Sequence, residues 1–113
     1  MMIEKIIYDY LNDSLSLPVY TEIPKNSPPR FIVFEKTGGA QVNHIKSSTI
    51  AVQSYGDSLY DAAVINEELK EEMIYGLISR DEIISVTLNS DYNFTDTTTK
   101  KYRYQAVFDI YHY

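Results

Sequence analysis

The sequence predicts a single α+β domain, residues 1–113, in which two helices pack on an antiparallel or mixed sheet of four to five strands. Two segments carry apolar residues at helical spacing, and several others alternate apolar and polar residues as strands do. The chain ends in a long predicted β-hairpin, residues 88–113, whose arms flank a threonine-rich turn. Helices on one side of a sheet define the α+β class, and 113 residues suit one domain.

Two amphipathic segments predict the helices. The first helix spans residues 2–14, with Ile3, Ile6, Ile7, Tyr10 and Leu11 on its apolar side. The main helix follows Gly56, is capped by Asp57 or Ser58, and ends near residues 76–80. Its predicted buried stripe consists of Leu59, Ala62, Ala63, Asn66, Leu69, Met73 and Leu77. Its predicted solvated side consists of Glu67, Glu68, Glu71 and Glu72, with Lys70 between them.

Between the helices, the sequence predicts two or three strands. The candidate strands are residues 19–23, residues 31–37 and residues 45–55. Residues 24–30 contain three prolines, which favours an exposed connection. Gly38 and Gly39 predict a turn or loop. Because residues 38–44 exceed what a tight hairpin needs, we expect a projecting arm there.

Each arm of the C-terminal hairpin has an apolar face and a polar face. The apolar residues of the first arm are Ile84, Val86, Leu88, Tyr92 and Phe94, and those of the second arm are Tyr102, Tyr104, Ala106, Phe108 and Ile110. Side chains alternate between the two faces of a strand, so this pattern predicts a sheet that covers a core on one side. This alternating pattern forms a sheet surface and contains no set of catalytic residues.

Composition restricts the class of protein. The chain has no cysteine, which excludes disulfides and thiolate chemistry. Its net charge of −6 disfavours a nucleic-acid-coating role. No apolar run approaches the roughly 20 residues of a membrane span, and acidic residues within residues 1–17 lead us to expect no signal peptide. Eleven tyrosines suit a half-buried sheet face and also a protein–protein contact.

The residues that often carry chemistry form no recognised motif. His44 and His112 lie far apart, and no nucleophile or metalloprotease motif accompanies them. An enzyme would require a concave pocket where one of these histidines meets an acid of perturbed pKa. We therefore predict no enzyme and no cofactor.

Three further clusters have alternative interpretations. The glutamates of the main helix lack the histidine that a carboxylate metal site needs, so a solvated face is favoured. Asp91, Asn93 and Asp96 hint at calcium but do not fit an EF-hand, so we predict a turn held by side-chain hydrogen bonds. Lys100, Lys101 and Arg103 interleave with tyrosines, a pattern that suits either single-stranded nucleic acid or acidic groups of a neighbouring subunit.

Three segments resemble small tail-completion proteins of long-tailed bacteriophages and prophages, and among these most closely the tail terminators. The segments are FIVFEKTGG, STIAVQSYGDSLYDAAVINEELKEEM and LNSDYNFTDTTTKKYRYQAVFDI. The resemblance implies a compact α+β domain, made in the bacterial cytoplasm, that forms a ring of six at the neck-proximal end of the virion tail. It implies as partners other copies of this chain, the tail tube protein and the head connector protein. DNA would only pass through the lumen, and no membrane is implied.

A ring requires two unlike surfaces on each subunit. We expect them in two projecting loops, residues 38–44 and residues 92–100. The candidate interface residues are Lys36, Gly38, Gly39, Gln41, Asn43, Tyr92, Phe94, Asp96, Lys100, Lys101 and Arg103. An isolated sample is compatible with a monomer. The alternatives are a head-completion or connector protein of the neck, and a soluble protein-binding module that captures a strand at its sheet edge.

Overall fold

The computed structural model describes residues 2–113 and contains two helices and a five-stranded sheet. The elements are α1 (Ile3–Ser14), β1 (Val19–Tyr20), β2 (Phe31–Val42), β3 (Ile45–Gly56), α2 (Leu59–Glu71), β4 (Ile83–Asn93) and β5 (Tyr102–His112). A π-helical turn (Glu72–Gly76) and a 3-10 turn (Leu77–Ser79) extend α2. The strand order is β1-β2-β3-β5-β4, with β1 parallel to β2 and the other pairs antiparallel. The predicted fold class is confirmed.

The main core lies between the helices and one face of the sheet, which we call the helix face. Apolar residues of both helices pack there against every second residue of β2, β3 and β5. The fully buried side chains include Ile7, Leu11, Phe34, Ile50, Val52, Ile65, Leu69, Met73, Phe108 and Ile110. A smaller apolar cluster on the opposite face, the open face, contains Phe31, Val33 and Tyr55 with Tyr20 beside them.

The buried side of α2 differs slightly from the predicted one. Ser58 is the cap, because its hydroxyl accepts a hydrogen bond from the Asp61 N–H at 3.0 Å. Leu59 was predicted to be buried and is 40% exposed, whereas Ile65 is 1% exposed and was missed. Ile65 and Leu69, four residues apart, centre the stripe, so Leu59 lies on its flank.

The helix α1 contacts the extension of α2 through Tyr10. The Tyr10 hydroxyl donates a hydrogen bond to Glu72 Oε2 at 2.6 Å. Burial, together with the adjacent Glu72 carboxylate, raises the pKa of Tyr10. A Cβ on Gly76 would overlap the Tyr10 hydroxyl, so this close approach requires glycine. Glu72 is therefore half-buried, whereas Glu67, Glu68 and Glu71 are exposed as predicted.

The predicted turn at Gly38 and Gly39 is wrong. Both glycines lie inside β2 and pair with Thr49 and Ser48 of β3, and neither has a positive φ. The ladder continues to Val42, and the turn occurs at residues 43–44, where Asn43 has φ 57°. Asparagine tolerates this left-handed conformation better than most residues. The expected projecting arm is thus a two-stranded ribbon.

The predicted apolar face of β4 is interrupted by a bulge. Leu88 pairs with Phe108, but Ser90 pairs with Val107, so Asn89 is an extra residue. An extra residue shifts the alternation by one, and side chains beyond it change faces. Tyr92 consequently lies on the open face, opposite Gln105. The other strand prediction that fails is residues 19–23, where only Val19–Tyr20 pair.

Substitution of Leu69 by alanine should lower the free energy of unfolding by about 2–5 kcal/mol, because the side chain is completely buried in the core. Leu59→Ala on the same helix is the matched control, and its effect should stay within about 0.5 kcal/mol because that side chain is partly exposed. Chemical denaturation measures both values. Equal effects of the two substitutions would contradict the assigned orientation of α2.

Candidate subunit interface

The candidate interface residues separate into two surfaces at opposite ends of the sheet. The β2–β3 turn lies at the end where Lys46 pairs with His112, and the β4–β5 turn lies where Gly56 pairs with Tyr102. The molecule measures 44 Å along its longest axis. Lys36, Gly38, Gly39, Gln41 and Asn43 belong to the first end, whereas Tyr92, Phe94, Asp96, Lys100, Lys101 and Arg103 belong to the second.

The first surface is the arm, which we define as residues 36–46. Every residue of the arm is exposed. Two of its apolar side chains, Val42 and Ile45, are 72% and 44% exposed. Gln41 Nε2 donates a hydrogen bond to the Asn43 carbonyl at 3.0 Å, which fixes the turn. An ordered ribbon with exposed apolar residues near its tip is suited to contact with another protein.

The second surface is the aromatic end, which we define as Phe31, Tyr55, Tyr92, Phe94 and Arg103. The Arg103 guanidinium lies 4.5 Å from the centroid of the Phe94 ring and 5.8 Å from that of Tyr55. It donates hydrogen bonds to the Tyr55 hydroxyl at 2.8 Å and to the Phe94 carbonyl at 2.6 Å. Tyr55 in turn stacks on Phe31 with a centroid distance of 4.3 Å. Arg103 thus stabilises its own chain, while Lys100 and Lys101 are exposed.

A row of hydrogen-bonded side chains crosses the open face beside this end. The Tyr55 hydroxyl donates to Gln53 Oε1 at 3.2 Å, and Gln53 Nε2 donates to Gln105 Oε1 at 3.0 Å. Gln105 Nε2 donates to the Tyr92 hydroxyl. The row positions Tyr92, whose ring lies edge-on to Phe94 at 5.8 Å. Neither glutamine was among the predicted interface residues, although their alternation with buried residues was the available signal.

The β4–β5 turn is held by side-chain hydrogen bonds, as predicted. Asn93 Oδ1 accepts hydrogen bonds from the Thr95 N–H at 3.0 Å and the Thr95 hydroxyl at 2.6 Å. Asp96 Oδ1 accepts one from the Thr98 N–H at 2.9 Å. Hydrogen bonds from Thr98 and Thr99 hold the pKa of Asp96 below its usual range. The turn therefore presents Phe94, which is 39% exposed, on an ordered loop.

Asp91, which was predicted to belong to this turn, lies in β4, and its side chain contacts α2. Its Oδ1 accepts a hydrogen bond from Asn66 Nδ2 at 2.7 Å, and its Oδ2 forms an ion pair with Lys70 Nζ. Lys70 also pairs with Glu67 at 2.7 Å. Burial lowers the pKa of Lys70, but the hydrogen bonds that its ammonium donates to Asp91 and Glu67 outweigh this effect, so the pKa is raised. This polar cluster attaches β4 to the helix layer.

The only buried histidine in residues 2–113 lies near the base of the arm. His112 Nε2 lies 2.7 Å from the Ser48 hydroxyl, and both residues are 2% exposed. His112 Nδ1 lies 3.2 Å from the Tyr113 carbonyl. Burial lowers the pKa of His112. His112 thus joins β5 to β3 through the Ser48 hydroxyl.

No model of a known protein family matches the sequence, and no curated protein matches it. Within residues 2–113, no three histidine, aspartate or glutamate side chains are grouped so that they hold a metal ion. None of the helices formed by these residues is both long and apolar enough to cross a bilayer.

Acidification should destabilise the protein through His112. Because the folded-state pKa lies below the ordinary value of 6.5, the unfolded chain binds a proton first as the pH falls. The stability that the protein gains from keeping His112 neutral is complete above pH 6.5. It decreases as the pH falls from there to the lower folded-state pKa. Thermal unfolding measured between neutral and acidic pH should show this decrease in Tm, and His112→Gln should reduce its slope.

His44→Gln is the matched control, because it removes an imidazole from the exposed turn and leaves the contact between His112 and Ser48 intact. A pH dependence of Tm that is identical in wild type and His112→Gln would contradict the assigned role of His112.

Proposed function

We propose that this protein is a structural component of a bacteriophage tail, the tail terminator, which caps the tail tube as a ring. In this role it ends tube elongation and provides the surface for joining the tail to the head. Its partners are other copies of the chain, the tail tube protein and the head connector protein. The resemblance of three segments to tail-completion proteins supports the proposal.

The observation that carries the proposal is the separation of two unlike exposed surfaces at opposite ends of the sheet. The arm offers aliphatic side chains on a two-stranded ribbon, whereas the aromatic end offers Tyr92 and Phe94 on an ordered turn. A ring is built from heterologous contacts, in which a patch of one subunit meets a different patch of its neighbour. A ring also leaves two faces for unlike partners, here the tube and the connector.

The charge of the chain is compatible with a conduit for DNA. The net charge is −6, and Glu67, Glu68 and Glu71 form an exposed acidic face on α2. An acidic lumen repels phosphates and lets the genome slide without adhering. A lumen lined by lysine and arginine in the assembled ring would contradict this part of the proposal.

The decisive experiment is electron microscopy of particles produced without this protein. A tail terminator predicts headless tails of uncontrolled length, because nothing stops the addition of tube rings. Filled heads without tails would assign the protein to the head connector instead. Normal particles would reject both roles and favour a soluble protein-binding module.

Phe94→Asp should impair assembly more than folding. Phe94 is 39% exposed, and an aspartate at this position remains close to the Arg103 guanidinium, which lies 4.5 Å from the native ring. We expect a Tm near that of wild type but few headed particles when the variant complements a deletion. Tyr60→Asp is the control, because it replaces an 80% exposed aromatic residue on α2, outside both surfaces.

A wild-type yield of headed particles with Phe94→Asp would show that the aromatic end does not dock on a partner. An equal loss of headed particles with Tyr60→Asp would show the same.

A further inference from the structure

Near the level of Phe108, each of the two outer long strands contains one residue more than the inner strand that it flanks. β4 has a second irregularity between Ile83 and Ser85, outside this span. Phe34 and Gly39 of β2 are paired with Val52 and Ser48 of β3, so six residues of β2 span the length of five residues of β3. The extra residue is Thr37. The same stretch of β3 pairs with Ala106 to Ile110 of β5.

On the other side of the sheet, β4 repeats this arrangement. Asp91 pairs with Ala106 and Val86 with Ile110, so six residues of β4 also span five residues of β5. The extra residue is Asn89. The two bulges lie on either side of Phe108 along the strands. Asn89 falls between the β4 residues that pair with Phe108 and Val107. Thr37 falls between the β2 residues that align, through β3, with Phe108 and Asp109. The two edges of the sheet are therefore equal in length over the same span.

Both edges are free within residues 2–113. β4 is the last strand in the sheet order, and β1 pairs only with Ile32 and Val33 of β2, so the exposed stretch of β2 from Glu35 to Val42 has no outer strand. A bulge normally protects an edge, because a regular strand cannot stay in register with it. A strand that has its own extra residue at nearly the same position along the edge can stay in register with the bulged strand.

The strand directions also match. Three successive antiparallel pairings separate β2 from β4, so the two outer strands run in opposite directions. A second copy placed beside the first in the same orientation brings its β2 next to β4 of the first copy. The new pair is antiparallel, like the existing pairs of long strands.

We propose that β4 of one copy pairs with β2 of the next copy and continues the sheet through the ring. Asp91 then lies opposite Phe34, Thr87 opposite Gly38 and Ser85 opposite Ala40 of the neighbour. This inference rests on the proposed ring-forming function. It places the contact between copies at the two sheet edges, so that the tip of the arm and the aromatic end remain for the tube and the connector. The matched bulges select another copy of this chain over an unrelated extended peptide.

The faces of the two strands agree with this register. Thr87 pairs with Asp109 and Gly38 with Thr49, and all four belong to the open face. Asp91 and Phe34 pair with residues of the helix face, Ala106 and Val52. Each proposed pair thus keeps polar and apolar residues on the sides that the folded subunit already uses.

Disulfide formation tests this register directly, because the chain contains no cysteine. Gly38→Cys and Thr87→Cys are combined in one protein. A Cβ at position 38 meets nothing within 4 Å, and Thr87 is exposed, so both substitutions fit the folded subunit. Within one chain the two positions are three strand spacings apart, about 14 Å, which is too far for a disulfide. Any bond between them therefore joins two copies.

The matched control combines Gly38→Cys with Ser85→Cys, which lies on the same face but two residues out of register. On mild oxidation of the concentrated protein, we expect the 38/87 variant to form a ladder of multimers on a non-reducing gel. The ladder should end at the size of the closed ring and collapse to monomer on reduction. The 38/85 variant should lose this ladder.

Native mass spectrometry of the same samples separates the remaining outcomes. A closed oligomer without a 38/87 disulfide would overturn the edge pairing and leave the ring-forming function in place. A 38/87 ladder without an upper limit would support the edge pairing and contradict a closed ring. A protein that stays monomeric and forms no 38/87 disulfide would overturn this inference, while the particle experiment still decides the function.

Discussion

The antiparallel pairing of β3 with β5 is the constraint on which the rest of the structure depends. These central strands are joined from Lys46–His112 to Gly56–Tyr102 without a bulge. The apolar helix-face residues at their centre are completely buried under α1 and α2: Ile50, Val52, Ala106, Phe108 and Ile110. Because a one-residue slip would move every one of these apolar side chains to the other face, the register is strongly fixed. All other elements are placed relative to this pair.

The outer strands adapt to the central pair and acquire features of their own. Each accepts one extra residue close to the level of Phe108, Thr37 in β2 and Asn89 in β4. In β4 the bulge turns Asp91 toward α2, where Lys70 and Asn66 bind it, and turns Tyr92 to the open face. One inserted residue thus anchors the strand to a helix and supplies an aromatic side chain to the opposite surface.

The surfaces available for assembly follow from this geometry. The central strands end at opposite ends of a 44 Å molecule, so the arm and the aromatic end are far apart. Arg103 is held between Phe94 and Tyr55, which orders the aromatic end before any partner is present. Ordered surfaces lose little conformational freedom on association. The buried contact between His112 and Ser48 connects the core to the base of the arm.

The sequence by itself determined the fold class, the two helices, the long strands and the C-terminal hairpin, because hydrophobic periodicity is a local property of the chain. It also placed Asn43 and Phe94 in exposed connections, where the structure has them. Only the tertiary structure decided that Gly38 and Gly39 extend a strand, because they pair with Ser48 and Thr49 across the sheet. It likewise decided the faces of Asp91 and Tyr92, since a bulge depends on the partner strand and leaves no periodic signal of its own.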